Sequence, residues 1–424
     1  MNFEQLLTIG FFVLALGIIS LEKVHRSIIA AVFAALVILL GIVDQETAVH
    51  AIDFNTIGLL VGMMIIVSVF AKTGFFEFLS LYVIRAMRGE PIKILIALSL
   101  LTAVLSAFLD NVTTILLIAP VIIFIAKSLR LSPLPFIISA IFFSNIGGTA
   151  TLIGDPPNVI IGSAAGFSFM DFIVNVAPAV VFILVASVPI IYFYFRNQLV
   201  VSKTAARQVM KLEPVKAIAD FGMLKKVLAV FLLTLVGFFT HSIFHLEAAT
   251  IALSGAALLL LITARHPDEI YEKVEWGTIF FFLGLFVLVG ALESVGIIEL
   301  AASELLRITD GNPMMTAFLM LLFSGIASGI VDNIPITTVM VGLIRDIGHT
   351  GIDTTPLWWS LSLGACLGGN TTLIGASANV VGADICSKNG TPIRFVTFIK
   401  YGFLVSLVSF ILATIYIYLR FFLI

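Results

Sequence analysis

Apolar stretches of membrane-spanning length alternate with short polar connections along the whole chain, and the interruptions say more than the stretches. Spans are predicted near 6–21, 27–43 and 56–71. An amphipathic basic piece with Lys72, Arg85, Arg88 and Lys93 follows, then apolar arms at 94–109 and 115–126 flanking Asp110-Asn111. Each arm is short for a hydrocarbon core of about 30 Å. With Lys93 before the arms and Lys127 and Arg130 after them, both ends belong on one side, which predicts a re-entrant helical hairpin. A helix from about 134 is then broken by the polar, glycine-rich run 145–158, and a further span covers 172–195.

The same order returns: spans near 226–242, 247–263 and 277–292, a hairpin at 314–346 with Asp332-Asn333 at its tip, a broken helix at 356–386, and a last span at 397–422. The residues repeat as well as the pattern. Asn145-Ile146-Gly147-Gly148-Thr149-Ala150-Thr151-Leu152-Ile153-Gly154 reappears 221 residues on as Cys366-Leu367-Gly368-Gly369-Asn370-Thr371-Thr372-Leu373-Ile374-Gly375. Leu109-Asp110-Asn111 reappears 222 residues on as Val331-Asp332-Asn333. The chain divides into a first repeat, 1–195, a basic linker, 196–226, read as a solvated interfacial helix, and a second repeat, 227–424.

Composition places this design in a bilayer: 60% of residues are hydrophobic, 11% are charged and the mean hydropathy is +1.17. The expectation is an all-α polytopic membrane protein. Assigning connections alternately to two sides puts 20 of the 23 lysines and arginines on one side, leaving only Arg307, Arg345 and Arg420 on the other. By the positive-inside rule the linker is cytoplasmic and both termini are outside, as in a bacterial or archaeal inner membrane. The two repeats then enter from opposite sides, the inverted topology used by secondary transporters. Leu6 to Leu21 lacks a basic flank and cleavage site, so it reads as a retained span. No basic arm suggests nucleic acid, no nucleophile and base pair suggests an enzyme, and no cofactor motif is present. Cys366 and Cys386 read as packing residues, and His25, His241 and His245 as interfacial residues at span ends.

Polar breaks inside apolar sequence survive only where protein or a cavity surrounds them. The candidate ion and substrate site therefore gathers Asp110, Asn111, Thr113 and Thr114 from one tip and Asp332, Asn333, Thr337 and Thr338 from the other. The breaks add Asn145, Gly147, Gly148, Thr149, Asp155 and Asn158, and Gly368, Gly369, Asn370, Thr371 and Asn379. Glycines let a backbone approach a ligand and expose carbonyls to a hard cation, while half-helix N-termini suit an anion. An intramembrane carboxylate costs about 2.5–3.5 kcal/mol on insertion scales, which marks Asp110, Asp155 and Asp332 as functional. Burial favours the protonated carboxyl and a bound cation favours the ionised one, so a proton or sodium is the coupling ion, with sodium expected at Asp110, Asn111, Asp332 and Asn333. The simpler role for each Asp-Asn pair is to cap the helix that follows. Asp155-Pro156-Pro157 has no charged counterpart, since Ala376-Ser377-Ala378 stands in the second repeat.

Phe108-Leu109-Asp110-Asn111-Val112-Thr113-Thr114, the run Gly154-Asp155-Pro156-Pro157-Asn158, and Gly364 to Asn370 with Leu373 to Val380 together resemble the ArsB/NhaD permease family of the ion transporter superfamily. Within it they resemble the branch containing the pink-eyed-dilution P protein. The resemblance covers nearly the whole chain. It implies inverted repeats, a homodimer, and alternating-access transport of arsenite, antimonite or another small anion, with proton antiport as the coupling. A soluble ATPase partner would go with an arsenite pump. The resemblance also admits a sodium/proton antiporter of the NhaD type or a sodium-coupled dicarboxylate carrier. An anion channel is the reading from another class.

Overall fold

Every regular element among the described residues is helical. The computed structural model describes residues 2–21, 23–201, 206, 209–263 and 267–423, so Glu22, Lys203, Arg207 and Arg265 of the charge argument lie outside the described residues. The first half contains α1 (Phe3–Ser20), α2 (Arg26–Leu39), α3 (Gln45–His50), α4 (Phe54–Ala71), α5 (Phe75–Ala86), α6 (Pro91–Ser106) and α7 (Asn111–Leu129). It continues with α8 (Leu134–Gly148), α9 (Pro156–Ala165), α10 (Phe169–Asn175) and α11 (Ala177–Phe195). The second half contains α12 (Phe221–Thr240), α13 (Ala248–Thr263), α14 (Pro267–Tyr271), α15 (Trp276–Ser294) and α16 (Ile297–Ile308). It ends with α17 (Pro313–Ile330), α18 (Asn333–His349), α19 (Thr355–Gly368), α20 (Ser377–Lys388) and α21 (Phe395–Tyr418). Helix for helix the halves correspond, with α10 the one α-helix among the described residues lacking a counterpart. Eight of the described helices are long and apolar enough to cross a membrane, and the bend of 110° between α9 and α10 interrupts what is otherwise a ninth.

The acidic and amide residues that punctuate the apolar sequence are helix starts. Asp53 takes the N–H groups of Asn55 and Thr56, Asp110 that of Thr113, Asp220 those of Gly222 and Met223, Asn312 those of Met314 and Met315, and Asp332 that of Ile334. Each satisfies donors that a helix start otherwise leaves orphaned. This capping corrects the arm lengths. Because Asp110 caps it, α7 already begins at Asn111 and runs 19 residues, long enough to cross rather than short. The first break is also narrower than 145–158 suggests: α8 stays helical through Gly148, leaving 149–155 irregular, and in the broken helix expected at 356–386 α19 stays helical through Gly368, leaving 369–376 irregular. The span at 172–195 is divided at Val176, before Pro178. Of the linker, Pro214–Ala217 forms a short 3-10 turn packed on α5, and the Ala219 N–H donates to the Thr73 carbonyl at 3.1 Å. That part is docked rather than simply solvated.

Packing repeats across the halves. In each, the first helix of the pair before the break lies against the broken helix, α6 on α8 and α17 on α19. The contact needs glycine: a Cβ at Gly147 would sit 2.1 Å from the Ala103 carbonyl oxygen, and one at Gly368 would sit 2.3 Å from that of Gly325. The halves also exchange partners, α2 lying along α15 and α4 along α13, with Gly284 on Ala30 and Gly62 on Ala252 at matching positions. Likewise α9 packs on α18 and α20 on α7. Neither half encloses its own core.

Candidate ion-binding site

The two helix breaks are held open by their own side chains. Asn158 Nδ2 donates to the carbonyls of Thr149 and Thr151, both at 2.9 Å, and Asn379 Nδ2 donates to those of Gly369 at 2.7 Å and Thr372 at 2.9 Å. Hydroxyls tie each break to the end of the helix packed beside the broken one, Thr151 to the Ala107 carbonyl just past α6 and Thr372 to that of Gly329 in the last turn of α17. Carbonyls released by unwinding are therefore taken up inside the protein, as buried polar groups require. The breaks meet at the molecule's centre, where Asn145 donates to Asn370 and Asn379, both at 2.9 Å, and Ser362 donates to Asn158 at 2.6 Å. Asn145, Asn158, Asn370 and Asn379 are all fully buried.

Beside this junction is a small cavity lined by Asp110, Asn111 and Val112 from one tip, Asn333 and Ile334 from the other, Asp155, Pro156 and Ser377 at the breaks, and Arg26, Leu60, Met64, Glu275 and Thr278 from the helices around them. Its volume of about 20 Å³ suits roughly one water. Asp155 is its most confined charge. Asn111 and Asn333, the asparagines of the two tips, both donate to Asp155 Oδ1, at 3.1 and 3.3 Å. The other oxygen, Oδ2, is buried and carries no hydrogen bond. The thiol of Cys366 stands beside the carboxylate and is only a weak donor.

The tip aspartates are engaged differently. Asp110 caps α7 with both oxygens on Thr113, one at 2.8 Å from its N–H and one on its hydroxyl. Asp332 caps α18 through Ile334 at 3.0 Å, and its second oxygen receives Ser377 Oγ at 2.9 Å and the Arg26 guanidinium at 3.4 Å. Arg26 also donates to Ser377 and to Thr278, the latter at 3.0 Å, and lies 5.0 Å over the Phe281 ring. Among the described residues no three histidine, cysteine or acidic side chains are close enough to hold a metal. A sodium ion at the tips would have to share Asp110 with its cap and Asp332 with Arg26.

Several predicted site residues serve the frame in this conformation. Gly147, Gly148, Gly368 and Gly369 pack against backbone or a neighbouring side chain, since a Cβ at Gly148 would lie 2.4 Å from the Gly154 oxygen and one at Gly369 3.0 Å from the Ala376 Cβ. Thr149, Thr337 and Thr338 return their hydroxyls to the carbonyl four residues back. Thr114 Oγ1 and Thr371 Oγ1 are buried without a bond, and Thr371 lines a separate apolar groove. Arg26, Glu275, Thr278 and Ser377 were not anticipated. The signal was weak: Arg26 and Glu275 are charges at the start of apolar helices, the first absorbed by positive-inside counting, and Thr278 and Ser377 are small hydroxyl residues with no mark of their own. His241 is also more enclosed than an interfacial residue. Its Nδ1 is 2.8 Å from the Leu246 carbonyl, and its Nε2 accepts the Phe169 N–H at 3.4 Å.

Fold and site define a membrane transporter. Residues 16–364 match the family described as Citrate transporter, CitMHS, and the chain belongs to that family. It is 40% identical over 99% of both chains to an uncharacterized transporter of Mycobacterium tuberculosis, and 38% identical to the 46 kDa membrane protein of Mycobacterium leprae over 98% of this chain and 99% of that one. It is 34% identical to the P protein of Homo sapiens over 96% of this chain, which corresponds to 59% of that longer protein. The crystal structure of the Alcanivorax borkumensis YdaH transporter shares the fold over 99% of both chains, with a TM-score of 0.56 at 13% identity. The homology to the P protein agrees with the branch read from the motifs, and the family shown is the citrate transporter family.

Proposed function

We propose that the protein is an ion-coupled secondary transporter that moves a small anion by alternating access, with a proton as the coupling ion and Asp155 as its carrier. The observation that supports this most is the carboxylate of Asp155, held at one oxygen by both tip asparagines and left bare at the other. A buried, half-satisfied carboxylate is costly unless a proton or cation completes it. Because its two donors come from different halves, filling or emptying Oδ2 reaches both tips at once. Citrate enters as a candidate cargo through the family description, and arsenite or antimonite through the motif resemblance. A sodium/proton antiporter using the same carboxylate is the second reading, favoured by four acidic residues, Asp110, Asp155, Glu275 and Asp332, against one arginine around the cavity and its mouth.

In this reading the helix pairs α6–α7 and α17–α18 act as hairpins that return to the side they entered from, although α7 and α17 have spanning length, the halves are inverted, and each chain of a homodimer carries its own site. Proteoliposomes offered citrate, dicarboxylates, arsenite, sodium and chloride under imposed proton or sodium gradients test the function. Gradient-driven movement of one anion is expected; stepwise single-channel currents would instead favour a channel. For topology, a cysteine replacing Lys211 should react with an impermeant reagent only from the cytoplasm, and one replacing Asp310 only from outside. Both positions are exposed. Labelling of both from one face would rule out inverted halves.

A further inference from the structure

The two halves share one helical framework around the site, so the places where they differ in chemistry carry information. At the first break, α9 begins Asp155-Pro156-Pro157: a carboxylate followed by two residues with no N–H. At the second, α20 begins Ala376-Ser377-Ala378, with a hydroxyl and backbone N–H groups, and no side chain caps that helix start. Beside the second start alone lies an arginine. Arg26 opens α2, and the residue that opens the matching helix, α13, is Ala248. One end of the pseudo-symmetric site is thus built of acceptors and the other of donors.

We propose that Arg26, Ser377 and Thr278 form an anion site, the place where a carboxylate or oxyanion group of the cargo binds, and that the cargo enters it by displacing Asp332 from Arg26 and Ser377, and Glu275 from the Thr278 hydroxyl, which donates to it at 3.1 Å. This rests on the transport reading above and assigns its anion to a place separate from Asp155. Access is present: a cavity of about 360 Å³ lined by Ser20, His25, Arg26, Asp332 and Ser377 adjoins the closed one, sharing Arg26 and Ser377 with it. The pair to be broken is loose. Its single Arg26–Asp332 contact is 3.4 Å, whereas a charge-assisted hydrogen bond is ordinarily about 2.7–2.9 Å. A guanidinium has five donors in a planar fork, and a carboxylate or phosphate ligand can take two of them together. The helix start at Ser377 adds N–H groups and the positive end of a dipole.

The exchange links anion binding to cation binding. Once the cargo holds Arg26, Asp332 loses its positive neighbour, with Asp110, Asp155 and Glu275 as the other carboxylates near the cavity, and becomes a place for a proton or metal cation. Arriving anions therefore create the vacancy that a counter-charge fills. A neutral solute cannot make this exchange, which sets the cargo class as anionic and excludes uncharged arsenous acid.

The test is ligand-dependent melting of the purified, full-length protein with citrate, inorganic phosphate and, as neutral control, arsenite at neutral pH. Wild type should be stabilised by citrate or phosphate and not by arsenite. Arg26→Gln should lose that response, and Arg26→Lys, which keeps the charge without the fork, should bind about tenfold more weakly. The decisive variant is Asp332→Asn. Because Asn still caps α18 while releasing Arg26, it should bind the anion about tenfold more tightly. Weaker binding in Asp332→Asn, an unchanged response in Arg26→Gln, or stabilisation of wild type by arsenite alone or by none of the three would overturn the anion site. Gradient-driven anion flux that survives Arg26→Gln would overturn it too while leaving the transport reading intact, whereas absence of such flux in wild type would remove the reading itself.

Discussion

Replacing Asp155 by Asn is expected to leave a folded protein that no longer concentrates its cargo against a gradient. Asn matches Asp in size, and its carbonyl oxygen can still accept the Asn111 and Asn333 amides that now meet Asp155 Oδ1. What it lacks is an oxygen able to take a proton or offset a cation at the Oδ2 position. A pH difference of one unit is worth about 1.4 kcal/mol per proton. With one proton coupled per anion, wild type should therefore approach a tenfold accumulation and Asp155→Asn should equilibrate to none. Accumulation ratios at a set pH difference are the measurement, and a wild-type ratio in the Asn variant would remove Asp155 from the coupling. Asp155→Ala is a harsher change, since two buried amides lose their acceptor at roughly 1–3 kcal/mol each. It should lower the melting temperature as well as flux.

The largest effect on stability is expected at glycines. In Gly147→Ala the new methyl would meet the Ala103 carbonyl oxygen at 2.1 Å, and in Gly368→Ala that of Gly325 at 2.3 Å, contacts that only a shift of helix backbone can relieve. Overpacking of this kind costs about 1–3 kcal/mol, and more where backbone is the obstacle. Both variants should melt well below wild type, and because α8 and α19 carry the breaks, transport should fail with the fold. Gly17→Ala is the control, as nothing lies within 4 Å of its Cβ position, and it should be neutral. If Gly147→Ala melts with wild type, the close approach of α6 and α8 is wrong.

These glycines also show where sequence reasoning reaches its end. A small residue near a polar break carries the same signal whether it admits a ligand or another helix, and here the neighbour is a helix. The amides of Asn158 and Asn379 pose a similar ambiguity between contacts within the hairpins and contacts to a ligand, and in this structure they hold the unwound backbone. The order of spans, the paired breaks and the Asp-Asn pairs were legible because each leaves a local mark, a polar run inside apolar sequence occurring twice. Arg26 and Glu275 were not, since their place beside the tips depends on α2 lying along α15, a contact between residues some 250 apart. The length of α7 was underestimated for a local reason. Asp110 and Asp332 cap, so the polar residues after them begin helices rather than widen turns.

The central claim is that anion movement and proton movement are one event controlled at Asp155. It is tested most directly by trapping a pH-sensitive dye in proteoliposomes, imposing a gradient of the transported anion with no initial pH difference, and recording the internal pH. The account predicts a pH change that follows the anion in wild type and is absent in Asp155→Asn. Anion flux through wild type with no accompanying change in internal pH would contradict it.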